Sequence, residues 1–462
     1  MSAERPVPRA LAGRLIAFGT LAASLLSAAV CFDVAAGTDC WTYTPPASGT
    51  KGTISWIDSS GFTNVISGIG LENGAVRIYT NYNTSSPIKN ADFSIPVEME
   101  DGTPLAYSPD FLAGKDNTGQ RILGYNAGIT NVVVNSNATS LGNFCFKNCT
   151  GLVRVRLNDG LKSIGTEGFI DCAALETVEN FLPDSIEALG SKAFYGCKAL
   201  AGDMTAKGLQ SIGARAFRSC QSLRTFDLGD SPVTNFPEYV FYDCPKLGSI
   251  ILPNALRTMG IGVFEGCSSL TNVTPLLPPK LESFGTDGNP VFFNDPIQGH
   301  VVSPPSLERI GTRAFRTCKI ETFTAAKKGL KSIGQYAFFQ NYNLTNVVLS
   351  ATMESITGQW LDGSGRTGVE QHVWFRNLPA SLPSDLWAGT KAKNITVHLP
   401  LSQQKEWREW VASGPSGHTF TFNDVSGTLP EHRNDIGTWT AGKEQYVTWW
   451  KDVDAPTLML IQ

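Results

Sequence analysis

The sequence has few of the groups that make an enzyme. Its five histidines, His300, His372, His398, His418 and His432, are scattered without metal-ligand spacing, and neither H-E-x-x-H nor C-x-x-C occurs. That disfavours a structural zinc site and a zinc hydrolase alike. There is no Walker sequence and no G-x-S-x-G elbow, so neither a phosphate cradle nor an activated serine is signalled. Gly68-Ile69-Gly70 opens like a dinucleotide loop, but Asn73 stands where the third glycine belongs and no βαβ unit follows, which leaves a turn. Charge of one sign is missing too: 37 basic residues face 41 acidic ones, a net charge of −4, without the basic excess that nucleic-acid binding demands. Neighbouring carboxylates such as Asp227 with Asp230, or Glu98 with Glu100 and Asp101, read as solvated surface. The expectation is a protein with no catalysis, cofactor or metal.

Long apolar runs are equally scarce. One extends from Leu15 to Val30, behind Arg5, Arg9 and Arg14 and ahead of Val34-Ala35-Ala36. This is the order of an export signal occupying residues 1–36, cleaved near Ala36; an uncleaved anchor helix is the competing reading, against which Gly19, Ser24 and Ser27 interrupt the run. Cys31 follows Ala28-Ala29-Val30 and lacks the leucine-led context of a lipidated cysteine. No second stretch is long enough to cross a bilayer as a helix, so the mature chain is expected to be secreted or surface-associated.

What the chain does have is repetition. The pattern apolar-Gly/Pro-x-x-x-Phe-x-x-Cys/Asn recurs with its phenylalanine at Phe146, Phe169, Phe194, Phe217, Phe241, Phe264, Phe315 and Phe338. The steps are 23, 25, 23, 24, 23, 51 and 23, and the long one divides into 28 and 23 if the weaker segment Ser283 to Asp295 contributes Phe292. A period in the low twenties is that of a leucine-rich solenoid. Leu152, Val155 and Leu157 show the L-x-x-L-x-L spacing of a short strand whose apolar side chains point inward. Gly142, Gly165, Gly190, Gly213, Gly260, Gly311 and Gly334, with Pro237 in one unit, fall four residues before each phenylalanine, where the chain is expected to turn and a Cβ to be costly. Ala193, Ala216, Ala314 and Ala337, with Cys145 in the first unit, precede the phenylalanine, small because one coil's backbone must approach the next. Spaced about 4.8 Å apart, nine or so coils would form a rod or arc on the order of 40–50 Å long.

Ten cysteines in an exported chain ordinarily mean disulfides, but the spacing argues otherwise. Cys149, Cys172, Cys197, Cys220, Cys244, Cys267 and Cys318 share one register, and Asn341 and Asp295 occupy it in other units. A slot that accepts Cys, Asn or Asp wants a small side chain that bonds turn backbone. Parallel Cβ vectors about 4.8 Å apart also miss the roughly 3.8 Å a disulfide prefers. Free, buried thiols are expected; for Cys40, both an unpaired thiol and a bridge to Cys145 stay open.

The nearly complete unit Leu209 to Leu223, L-x-x-I-G-x-x-A-F-x-x-C-x-x-L, resembles the BspA-like (treponemal-type) leucine-rich repeat, over about residues 129–371. Phe93 to Leu112 resembles an eroded first coil. The resemblance implies a right-handed solenoid of β and irregular coils, secreted or displayed on a bacterial surface, binding other macromolecules without catalysis. Departures at Val291 to Pro296 and at Cys318-Lys319-Ile320 imply bulges or a break in curvature. Residues 37–128 read as short β segments capping the raw apolar end that a solenoid exposes, an independent binding domain being the alternative. Residues 372–412 read as a strand, Asn394 to Leu399, followed by an amphipathic helix, Ser402 to Val411, and residues 413–462 as a small β appendage. Eight of the ten tryptophans lie after residue 359; Trp407 and Trp410, three apart, share a helix face, which favours cap packing over sugar stacking.

For function this leaves the solvent-facing strand positions: Arg154, Arg156, Glu176, Glu179, Arg224, Asp227, Asn272 and Asn346. The leading expectation is a scaffold for an extracellular or host protein partner. A self-assembling envelope component is the alternative, with a carbohydrate-binding or enzymatic carboxy-terminal region behind both. The stacking argument predicts that Phe217→Ala costs about 3–5 kcal/mol by opening a cavity between coils, whereas Arg224→Ala changes stability by less than about 0.5 kcal/mol; denaturant melts of both variants check it.

Overall fold

The computed structural model describes residues 124–125, 127–134, 138–179, 182–285, 290–365 and 371–380, a few positions up to 409, and the backbones of the flanking strands named below. It is a parallel β-solenoid of about ten turns with almost no helix, and each turn from Ile129 to Ile356 contributes one long and one short strand. The long strands stack as three successive parallel sheets. Ala91–Ser94, Ile129–Val133, Arg154–Arg156 and Thr177–Glu179 form the first; Gly202–Thr205, Leu223–Asp227, Ser249–Ile251 and Asn272–Thr274 the second. The third begins with Gln298–Val302, Lys319–Thr324, Asn346–Leu349 and Gln371–Phe375. The short strands are dipeptides such as Ser163–Ile164 and Ser332–Ile333, stacked in two sheets.

Apolar residues of both strand sets, together with the repeat phenylalanines, fill one continuous core. Phe146, Phe169, Phe194, Phe217, Phe241, Phe264, Phe292, Phe315 and Phe338 are all at most 1 % exposed. They stack ring on ring with centroids 5.1–5.7 Å apart and planes within 16° of parallel, an offset geometry that adds to their area burial. Phe292 thus belongs to the column, as the weaker seventh unit implied. The tenth coil places Leu361 in the phenylalanine slot and fully buried Trp360 in the small-residue slot, its ring edge-on to Phe338 at 6.1 Å.

The glycine column excludes a Cβ, as the sequence suggested, but not because the chain takes a left-handed turn there. Gly165, Gly190, Gly213 and Gly334 are not in the left-handed region; a Cβ at Gly213 would lie 2.4 Å from the Gly190 carbonyl carbon, and one at Gly334 2.7 Å from that of Gly311. These glycines let backbones touch. The turning falls to two other residues, two before and two after the phenylalanine, as Glu167 and Asp171, Lys192 and Gly196, Arg215 and Ser219, all with φ between 55° and 73°; in the seventh coil Asn294 alone has this conformation. Their N–H groups donate to the next coil, as Glu167 to the Ser191 carbonyl at 2.8 Å and Asp171 to that of Tyr195 at 2.7 Å, which offsets the cost of a left-handed conformation.

The shared thiol register is a hydrogen-bond ladder. Cys172, Cys197, Cys220, Cys244 and Cys267 each direct Sγ at the carbonyl of the preceding coil's phenylalanine, 3.1–3.2 Å away. Cys318 does so at 3.9 Å, and Asn341 Nδ2 donates to the Phe315 carbonyl at 2.7 Å. All eight described cysteines are free and buried, and burial pushes the Cys244 thiol up to about 12. Cys145, the open partner for Cys40, is a free thiol facing the Gly168 carbonyl at 3.5 Å.

Irregularity appears where the repeat is short. Gly299 pairs with Ile320 and His300 with Thr322, so Glu321 bulges out; Arg224 bulges likewise between the partners of Gly202 and Asp203. At the amino end, Ala28–Val34, Gly37–Thr44, Gly52–Ile57, Thr63–Glu72 and Ala75–Ile78 run as an antiparallel meander, which Ala106–Tyr107 joins in parallel. At the other end Asn394–Pro400 and then Glu444–Trp450 continue the third long-strand sheet in parallel, and His432–Thr438 closes it antiparallel. The helix expected over Ser402 to Val411 and the side chains of Trp407 and Trp410 lie mostly or wholly outside the described residues.

One rung of the ladder carries an acid in place of a thiol or an amide. Asp295, 1 % exposed, holds the thiol register of the seventh coil, and neither carboxyl oxygen meets a hydrogen-bond partner. Burial drives its pKa well above the usual carboxylate range. The folded state therefore keeps a proton that the unfolded chain loses near pH 4, and stability falls as pH rises from there toward neutrality. Asp295→Asn, able to donate as Asn341 does, is expected to be more stable by about 1–3 kcal/mol at pH 7, with the gap closing toward pH 4; urea melts across that range measure it.

Candidate binding face

The long strands present two outward columns separated by one inward column. In the first strands Arg154 and Arg156 are exposed on either side of buried Val155. The pairing registers carry these columns along the array: Asn131, Arg154 and Thr177 in one, Val133, Arg156 and Glu179 in the other. After the first sheet they continue as Asp203, Thr225, Ser249 and Asn272 beside Thr205, Asp227, Ile251 and Thr274. Beyond the next break the registers run His300, Thr322, Asn346 and His372 beside Val302, Thr324, Val348 and Trp374, of which Thr322 and Val348 are buried.

Of the positions the sequence offers, Arg154, Arg156, Glu176, Arg224 and Asn272 are exposed, and Asp227 and Asn346 are half-buried. Glu179 lies in register with Arg156, its side chain outside the described residues. Arg224 owes its exposure to the bulge. Asp227 is partly committed to local structure, accepting the Gly229 N–H at 2.9 Å with Lys207 Nζ 3.7 Å away. Asn272 donates to Ser249 Oγ at 3.1 Å and Asn346 to Thr345 Oγ1 at 3.1 Å.

The two columns divide by charge. Up to Asp227 their registers hold Asp92, Arg154, Arg156, Glu179, Asp203 and Asp227; from Ser249 to Trp374 they hold no Asp, Glu, Lys or Arg. There the face is made of threonine, asparagine, histidine and β-branched residues, with Ile251 40 % and Val302 63 % exposed. Three of the scattered histidines come onto this half. His300 Nδ1 lies 2.8 Å from Thr322 Oγ1, His372 Nδ1 lies 3.1 Å from His398 Nε2, and the Trp374 ring lies flat on that of His398, 4° from parallel. Spacing counted along the chain hides this, because the residues meet only through the register between coils.

The turn side carries a second set of contacts between coils. Glu167 bridges Lys147 and Lys192 at 2.5 and 2.9 Å, and these pairs outweigh burial to hold its carboxyl below the usual range. Arg218 lies over Tyr242 at 4.5 Å, with Tyr195 and Tyr239 also within reach, and Arg316 over Phe293 at 4.7 Å and Phe339 at 5.2 Å. Such cation–π contacts tie neighbouring coils together. A groove of about 390 Å³ runs over the short strands near Glu308, Lys331 and Glu354, with Lys331 bonded to Glu308 at 2.8 Å. Among the described residues no group of three or more His, Cys, Asp or Glu could hold a metal ion, and no helix is long and apolar enough to cross a membrane.

Six copies of the BspA type leucine-rich repeat region match residues 123–203, 203–287 and 288–367, so the chain belongs to the BspA-type leucine-rich repeat family. Among solved structures, a leucine-rich repeat protein from Bacteroides ovatus is 19 % identical, with 81 % of this chain and 97 % of that one covered, at a TM-score of 0.45. A leucine-rich repeat protein of T. pallidum is 25 % identical over 44 % of this chain and 86 % of its own, at 0.36. A leucine-rich cell surface protein from Faecalibacterium prausnitzii is 14 % identical over 75 % and 97 %, at 0.26. No curated protein matches the sequence.

Proposed function

We propose that this protein is an exported, surface-exposed scaffold that holds a protein partner against the outward face of its long strands and performs no chemistry of its own. The observation that carries the reading is the division of labour within each coil. Inward positions are occupied by the same few apolar residues from coil to coil, while the two outward columns pass from charged to neutral and apolar along the array. The rigid stack sets the spacing of those outward side chains, so a partner meets a preorganised surface and loses little freedom in ordering it. Charged residues at one end set approach and register, and the neutral half, with Ile251 and Val302 exposed, supplies apolar contact.

The test is protease and label accessibility on intact cells, combined with cross-linking to a neighbouring or host cell surface. Wild type is expected to be accessible and to capture a defined protein, and Arg154→Glu with Arg156→Glu to lower that capture at least tenfold while the melting temperature is unchanged. Recovery only from inside the cell, or equal capture by the variant, would overturn the reading. Ordered self-association in sedimentation without partner capture would point instead to an envelope component.

A further inference from the structure

The geometry points to a divalent transition-metal site formed by His372 and His398 at the carboxy-terminal end of the outward face. The two imidazoles come from adjacent parallel strands, Gln371–Phe375 and Asn394–Pro400, and lie on neighbouring columns: His372 pairs with Thr396, and Trp374 with His398. Their facing nitrogens, Nδ1 of His372 and Nε2 of His398, are 3.1 Å apart. Two nitrogens at that separation, each about 2.0–2.1 Å from a common ion, subtend an angle of about 100° at it, close to the roughly 109° of a tetrahedral zinc centre. Imidazole is a favoured ligand for zinc, copper and nickel, so the donor type agrees with the distance.

The surroundings favour convergence over drift. His398 is 8 % exposed and its ring is held flat beneath Trp374, centroids 3.3 Å apart, so its direction is fixed by packing. His372 is half-buried and its plane is tilted 32° from that of His398; it is the ring that turns to bring both lone pairs to one point. In the metal-free pair one ring donates its N–H to the other's lone pair. When the ion binds, the donating ring carries its proton on its other nitrogen, so a neutral pair releases no net proton. Two protein nitrogens leave at least two positions on a tetrahedral ion for solvent or for a carboxylate or imidazole of a docked partner. His300, bonded to Thr322 Oγ1 three long strands away from His372, is outside this pair and serves as a control.

The experiment is isothermal titration of the purified, metal-stripped chain with Zn2+ alone, and optical titration with Co2+. Wild type is expected to bind one ion, His372→Gln and His398→Gln each to weaken that binding at least tenfold, and His300→Gln to leave it unchanged. Zn2+ should raise the melting temperature of wild type and not of the two variants, and circular dichroism of the variants should match wild type. Conservative Gln replacements preserve a hydrogen-bonding side chain; if either variant is unfolded, the melting shift of the remaining variant decides. No binding by wild type, equal binding by His372→Gln and His398→Gln, or a thiolate charge-transfer band with Co2+ would overturn the assignment, the last by placing the ion on the buried thiols.

Discussion

The structure depends on one constraint: each coil has no core of its own and must satisfy its backbone on the coil above. Every repeat phenylalanine from Phe146 to Phe338 donates its N–H to a carbonyl of the next coil, and the carbonyls of Phe146, Phe169, Phe194, Phe217, Phe241, Phe292 and Phe315 each receive a side-chain donor of the thiol register. The rings between them are then stacked by the same translation that aligns the bonds. The core is less a centre than an axis, and its stability is a sum of neighbour terms rather than one cooperative packing.

That constraint explains how much could be read from the sequence. The period, the phenylalanine column, the small residue before it and the free thiols all follow from translation along an axis, and each leaves a repeated letter. Phe292 was visible only as a weak unit, because its segment departs from the pattern on both sides. A repeated glycine excludes a Cβ for one of two reasons, a left-handed turn or close backbone contact, and only coordinates separate the two. The left-handed residues were hidden, since Glu167, Lys192, Arg215 and Tyr239 share a backbone conformation and no side-chain chemistry.

The outward face was legible in part for the same reason. Arg154 and Arg156 flank an inward valine, and alternation alone assigns them outward. The histidine and tryptophan cluster was not legible, because His372, Trp374 and His398 lie after the last clear phenylalanine unit and are brought together by the register between strands rather than by spacing along the chain. Positions that vary from coil to coil are also the ones on which a repeat pattern is silent. A solenoid thus conceals its recognition surface in the very residues that its periodicity leaves free.

The thiol ladder has one more consequence. A cystine needs an oxidant to form and a reductant to fail, whereas a sulfhydryl that gives its hydrogen to a carbonyl answers to neither. With Cys172, Cys197, Cys220, Cys244 and Cys267 used in this way, the array is built to assemble identically in anoxic and aerated surroundings, and its rigidity is uncoupled from the redox poise of whatever compartment or niche receives it.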